Sequence, residues 1–194
     1  MPLLPLLFLL LQTPQTDATI EFENPSVRIV RVHYKPHQKT PLHEHPPTPT
    51  VYVYVTDGGR LKIGHDGETP VTRPAVKAGG IRFQKGVAES HVVEELDGVE
   101  SEYIRIELKG EQVDLPDQDI RRAPSDRTPY SSGMIGIERI TCAPATPCPV
   151  SPLPSVFVYG KKAVWVAPNV SPVNNTTDFS LEAVRVEIKS KPRP

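Results

Sequence analysis

The segment Glu102–Lys109 (EYIRIELK) decides the fold, because its pattern recurs as Glu182–Lys189 (EAVRVEIK) near the other end of the chain. In the first segment Ile104, Ile106 and Leu108 are separated by single polar residues. Such period-two alternation is typical of an antiparallel strand with one buried face. The two segments therefore predict an all-β protein.

Two further pairs of segments recur in the same order. Val30–Pro36 (VRVHYKP) matches Glu138–Pro144 (ERITCAP), and Val51–Tyr54 (VYVY) matches Val156–Tyr159 (VFVY). A repeat at a fixed order of strands indicates an internal duplication. We interpret residues 20–109 as a complete repeat and residues 133–189 as a shorter, degraded copy.

The remaining segments fall outside the repeat. Residues 110–132 are charged, contain proline and show no periodicity, so we interpret them as a linker. Residues 190–194 form a short tail. Because the second copy has lost strands, we expect it to complete or cap the first barrel rather than to close a barrel of its own.

Composition excludes several classes of protein. The 194 residues include 23 prolines, which disfavour a helical protein because proline lacks the N–H group that a helix interior needs. The formal net charge is −1, and no basic run alternates with aromatic residues, so nucleic acid is not an expected partner.

Asp57-Gly58-Gly59 and Asp66-Gly67 are turn signals that predict connections between adjacent antiparallel strands.

The N-terminal residues suggest export. Pro2–Leu11 is an apolar run that is too short for a stable membrane span, which needs about 20 residues, but long enough for a secretory signal. We interpret residues 1–19 as a signal peptide or an apolar segment packed on the barrel, and we expect a secreted or periplasmic protein. Cys142 and Cys148 are close enough along the chain to form a disulfide, which such a compartment would permit.

The motif HEH at His43–His45 is the main candidate for chemistry. On a strand, residues i and i+2 face the same side, so His43 and His45 can direct both imidazoles into a barrel. The second copy has Ser151-Pro-Leu153 at the corresponding place. Any ligand chemistry is therefore expected in the first half.

Two stretches around these histidines resemble the sequence motifs of the cupin family. Residues 37–58 (HQKTPLHEHPPTPTVYVYVTDG) are similar to the first motif, and residues 79–95 (GGIRFQKGVAESHVVEE) to the second. The resemblance implies a cupin-like antiparallel β-barrel (jelly roll), here with a truncated second repeat. It also implies that His43, His45 and His91 hold one divalent metal ion inside the barrel.

The chain departs from the family pattern at several positions. The glutamate of the first motif is replaced by Val51, Lys85 stands in place of proline, and His91 comes one residue late. Three neutral histidines would leave the full charge on a divalent ion, which favours an anionic substrate. His37 stands where the family has glycine, at a turn position that favours positive φ.

Other candidate residues have structural interpretations. We expect His33 on the surface and His65 in solvent beside the Asp66-Gly67 turn. Tyr52, Tyr54 and Trp165 are interpreted as packing residues of the barrel, since aromatic side chains favour strand faces.

Two function classes fit these residues. The first is a mononuclear metal oxygenase that acts on a small anionic substrate, with Fe, Zn, Ni, Mn or Cu as the candidate ion. The second is a non-enzymatic module that holds a carbohydrate or an organic acid in the barrel. In both classes the expected partner is a small molecule, and a homodimer is the expected assembly.

Overall fold

The computed structural model describes residues 17–191, which form β-strands and no helix. The strands of the first half are β1 (Asp17–Glu23), β2 (Val27–Tyr34), β3 (His43–His45), β4 (Thr50–Tyr54), β5 (Leu61–His65), β6 (Val71–Arg73), β7 (Ile81–Gln84), β8 (Glu89–Glu95) and β9 (Ser101–Leu108). The remaining strands are β10 (Ile120–Arg122), β11 (Tyr130–Ser131), β12 (Ile135–Cys142), β13 (Thr146–Pro147), β14 (Ser155–Tyr159), β15 (Lys162–Val166), β16 (Asn174–Asn175) and β17 (Leu181–Ile188). Within this part of the chain, no helix is long and apolar enough to span a membrane.

The strands form four antiparallel sheets. The largest has the order β1-β2-β9-β4-β7-β10, and a four-stranded sheet of order β3-β8-β5-β6 faces it. A five-stranded sheet follows the order β11-β12-β17-β14-β15, and β13 pairs with β16. The all-β jelly-roll architecture predicted from the sequence is therefore present.

The repeated segments occupy corresponding places in the two large sheets. β9 lies between β2 and β4, and β17 lies between β12 and β14. The register also corresponds, since Tyr52 is opposite Arg105 and Phe157 is opposite Arg185. Common ancestry of the two halves stays a prediction from the sequence.

The main hydrophobic core lies between these two sheets. It joins residues of the first half, such as Ile104 and Ile106, to residues of the second half, such as Val156 and Val186. All four side chains are at most 4% exposed. The apolar face of the six-stranded sheet is thus covered by the second half, and its opposite face is directed toward the four-stranded sheet.

Residues 110–132, which were predicted to be a linker, contain the strands β10 and β11. β10 pairs with β7 and extends the six-stranded sheet, and β11 pairs with β12 in the five-stranded sheet. The predicted signal segment, residues 1–19, lies outside the described residues except for 17–19, which begin β1.

Only one of the two predicted Asp-Gly hairpins forms. Asp66-Gly67 joins the adjacent strands β5 and β6, as predicted. The prediction was wrong for residues 57–59, because β4 and β5 belong to different sheets. Asp57 lies at this crossing and accepts a hydrogen bond from the Ala78 N–H.

A buried carboxylate stabilises the turns at one end of the four-stranded sheet. Glu95 is 1% exposed and accepts hydrogen bonds from the backbone N–H groups of His37, Asp97 and Gly98. These bonds stabilise the charged form of Glu95 and offset the cost of its burial. His37 has a φ of 57°, which confirms its predicted conformational role.

Cys142 and Cys148 form a disulfide. Both side chains are at most 2% exposed and pack with Phe157 and Val166 on the outer face of the five-stranded sheet. The loop that the disulfide closes therefore covers this face of the second half.

The core shared by the two halves of the chain should be sensitive to substitution. Replacing Ile106 by alanine removes a fully buried side chain from the interface between the large sheets, so the free energy of unfolding should fall by about 2–5 kcal/mol. Urea unfolding followed by circular dichroism measures this change. The control Val71→Ala alters a 60% exposed side chain and should shift the free energy by less than about 0.5 kcal/mol. An Ile106→Ala protein as stable as the control would contradict a core shared by both halves.

Candidate metal centre

Two adjacent strands bring His43, His45 and His91 together. His43 and His45 lie on β3 and face the same side, and His43 is directly opposite His91 of β8 in the antiparallel register. The ring centroids are separated by 4.9 Å (His43 to His45), 4.7 Å (His43 to His91) and 4.9 Å (His45 to His91). One ring nitrogen from each residue lies within 4.8 Å of those of the other two.

A short loop precedes the strand that carries His91. Residues 85–88 connect β7 to β8, and His91 lies opposite His43 in the register. Gly86 has a φ of 81°, and a Cβ atom there would lie 2.4 Å from the Thr48 carbonyl. Only glycine allows this close approach of the two backbones.

The hydrogen bonds of the imidazoles show which nitrogens are free. The Nδ1 of His43 lies 3.0 Å from the Pro41 carbonyl oxygen. Because a carbonyl oxygen only accepts, Nδ1 carries the proton and Nε2 keeps its lone pair. The Nδ1 of His91 is buried without a hydrogen-bond partner among the described residues and lies 3.5 Å from Glu89 Oε1.

Burial keeps two of the imidazoles uncharged. Desolvation lowers the pKa of His43. It also lowers the pKa of His45 to about 4, with a further contribution from the positive charge of Arg105. A metal binds the neutral form of histidine. The donor set and its convergence therefore fit a divalent ion.

Two more residues of the site were not predicted from the sequence. His65 was expected in solvent, but it is opposite His91 in the register of β5 and β8, with ring centroids 5.5 Å apart. Glu89 is two residues before His91 on the same strand face, and it lies 3.8 Å from His65 Nε2. His65, Glu89 and His91 form a second group with metal-ligand geometry. In the sequence, the alternation of Leu61, Ile63 and His65 indicated that His65 shares a strand face with two apolar residues.

A cavity of about 620 Å³ opens next to the histidines. Its wall on the six-stranded sheet carries four tyrosines, Tyr34, Tyr52, Tyr54 and Tyr103. Tyr52 and Tyr54 pack on Tyr103 with ring centroids 5.7 and 5.9 Å apart, in agreement with a packing role, and they also face the cavity. Burial raises the pKa of the Tyr52 and Tyr103 hydroxyls, so both remain protonated.

The cavity is rich in positive charge. Seven basic and three acidic side chains line it, although the chain as a whole has a net charge of −1. Arg105, Tyr52 and Arg82 are cross-strand neighbours in one row of the wall. Asp119 pairs with Arg82, and Glu107 pairs with Arg105.

Arg73 faces the same cavity from β6. Among the described residues it forms no ion pair, and burial, followed by the charge of Arg82, lowers its pKa. An unpaired guanidinium in a concave site attracts anionic ligands.

Comparison with solved structures identifies the fold. No family model and no curated protein matches the sequence. The bacterial pirin of Escherichia coli, solved in complex with nickel(II), superposes with a TM-score of 0.58 at 12% identity, over 86% of this chain and 83% of that chain. A mutant oxalate decarboxylase of Bacillus subtilis superposes with a TM-score of 0.53 at 10% identity, over 87% and 70%. Salicylate 1,2-dioxygenase of Pseudaminobacter salicylatoxidans superposes with a TM-score of 0.51 at 9% identity, over 84% and 71%. The architecture and these likenesses together show that the chain has the cupin fold.

Proposed function

We propose that this protein binds one divalent metal ion through His43, His45 and His91 and acts on a small anionic substrate as a mononuclear metal oxygenase. The observation that carries the proposal is the convergence of three imidazoles from β3 and β8 at the wall of a large cavity. A bound ion would supply Lewis acidity or redox chemistry at positions that the three histidines leave open.

The protein side chains orient this centre. The Pro41 carbonyl fixes the ring of His43 with Nε2 free. Glu89 lies on the Nδ1 side of His91, where a carboxylate can accept its proton and orient the ring. The protein therefore holds the His43 ring through its non-ligating nitrogen, and it places a carboxylate beside the Nδ1 of His91.

Other side chains of the cavity wall support an anionic substrate. Arg73 and the row of Arg105, Tyr52 and Arg82 offer cationic donors together with an aromatic surface. Two of the structurally similar proteins are named for salicylate and oxalate, which are carboxylates. We therefore favour a small carboxylate, and the tyrosines favour one with an aromatic ring.

One observation supports a second candidate function. Arg73 is unpaired among the described residues and does not depend on the histidines, so the cavity could hold an organic acid without any metal. The protein would then be a non-enzymatic binding module. Metal content separates the two candidates.

We further propose that the protein is secreted or periplasmic. The disulfide between Cys142 and Cys148 supports this, because such bonds persist in oxidising compartments. A homodimer stays a prediction.

Elemental analysis tests the metal centre. Protein purified without added metal should contain about one equivalent of a divalent transition metal, and the His43→Ala/His45→Ala double variant should contain less than a tenth of that. The control His33→Ala changes a histidine paired with Glu100 outside the triad and should retain the metal. Equal metal content in all three proteins would contradict ligation by the triad.

Metal retention should follow the pKa values of the histidines. Protons compete with the metal only once an imidazole can be protonated, and burial lowers the pKa of His43 and lowers that of His45 to about 4. We expect His45 to keep the metal until the pH falls toward about 4, and His43 to lose it only below the pH at which a free imidazole is protonated. Stepwise dialysis followed by elemental analysis measures the release. Occupancy that does not change between pH 7 and pH 3 would exclude histidine ligation.

The charge of a small molecule should decide how tightly it binds in the cavity. Benzoate and salicylate should bind at least about tenfold more tightly than benzamide and salicylamide, because each amide lacks the charge that the arginines attract. Isothermal titration calorimetry measures both series. Neutral amides that bind as tightly as the acids would contradict an anionic substrate.

A further inference from the structure

Arg105 hydrogen-bonds a candidate metal ligand. Its Nη1 lies 3.3 Å from Nδ1 of His45, and its Nη2 lies 3.1 Å from Glu107 Oε1. A guanidinium only donates, so Nδ1 of His45 is the acceptor in this contact and carries no proton. This hydrogen bond crosses from the six-stranded sheet to the four-stranded sheet inside the cavity.

The contact is incompatible with metal ligation by His45 in either mode. If His45 binds the ion through Nδ1, the lone pair that accepts from Arg105 is used by the ion. If it binds through Nε2, the proton of the neutral ring must lie on Nδ1, and an N–H group would then face an N–H group of Arg105. In both cases the hydrogen bond is lost.

The released guanidinium needs a new acceptor. Its Nε is buried without a hydrogen-bond partner among the described residues. Glu107, its only carboxylate partner there, is shared with Arg28, whose Nη1 lies 3.3 Å from Glu107 Oε2. The Arg105 side chain lines the cavity. An anion in the cavity can satisfy the freed donors.

We propose that Arg105 couples the metal to the anionic ligand: it caps His45 in the metal-free protein, and metal binding frees it to bind the anion. This inference rests on the proposed three-histidine site. It makes Arg105 a positioning residue for His45 and a binding residue for the substrate. Because coupling between two binding equilibria is reciprocal, the anion must tighten metal binding by the same factor as the metal tightens anion binding.

Calorimetric titration of the metal-free protein tests the coupling, with Zn²⁺ and benzoate as probes. In the wild type, saturating benzoate should raise the affinity for Zn²⁺ by about 5–150-fold, and Zn²⁺ should raise the affinity for benzoate by the same factor. In Arg105→Gln, Zn²⁺ alone should bind at least about fivefold more tightly than in the wild type, because the amide oxygen of glutamine can accept from an Nδ1–H. Benzoate should then change the Zn²⁺ affinity of the variant by less than about twofold.

Arg73→Gln is the matched control. It removes the same charge from the cavity wall, but Arg73 has no hydrogen bond to a histidine among the described residues. It should weaken benzoate binding and leave the affinity for Zn²⁺ alone within about twofold of the wild-type value. An equal gain in Zn²⁺ affinity in both variants would mean that charge alone is responsible, which overturns the role of the contact.

The possible failures are distinguishable. If the wild type does not bind Zn²⁺, the proposed function fails. If it binds Zn²⁺ but Arg105→Gln binds it no more tightly, or keeps the benzoate coupling, only the role of Arg105 fails.

Imidazole ¹⁵N spectra of the wild type provide a test that does not depend on a variant. They should show Nδ1 of His45 accepting a hydrogen bond without Zn²⁺ and losing it with Zn²⁺, and a bond that persists in the loaded protein overturns the proposal.

Discussion

The alternation of side chains along β9 is the constraint on which the site depends. Ile104, Ile106 and Leu108 are buried against the second half of the chain, so the polar residues between them must face the opposite way. That direction faces the four-stranded sheet, where Tyr103 and Arg105 line the cavity. The polar face of β9 therefore supplies one wall of the cavity, because its apolar face is covered by the second half.

In the second half, the positions that correspond in register to this wall have different surroundings. Phe157 and Arg185 correspond in register to Tyr52 and Arg105. Arg185 is 4% exposed and donates to Glu138 and to the Pro149 carbonyl, so this guanidinium is buried and paired. The loop closed by the disulfide packs on Phe157. The second half thus contributes a hydrophobic cover, and the first half keeps the open space.

Local sequence patterns predicted part of this site. His43 and His45 could be placed on one face because i and i+2 residues of a strand share a side, and the resemblance to the cupin motifs added His91. Alternation along β5 indicated which face His65 shares, but no local pattern placed His65 or Arg105 beside the three histidines. Their proximity depends on which strands are neighbours and in which register, and that is set by contacts distant in sequence. The wrong hairpin at residues 57–59 has the same cause, because a turn signal does not say which sheet the next strand joins.

The proposed metal centre depends on three imidazoles that bind one ion, and X-ray absorption spectroscopy of the zinc-loaded protein tests this most directly. We expect a first shell that contains three imidazole nitrogens at about 2.0–2.1 Å, with the remaining position taken by oxygen. A shell with fewer than three imidazoles, or one formed by water alone, would contradict the account.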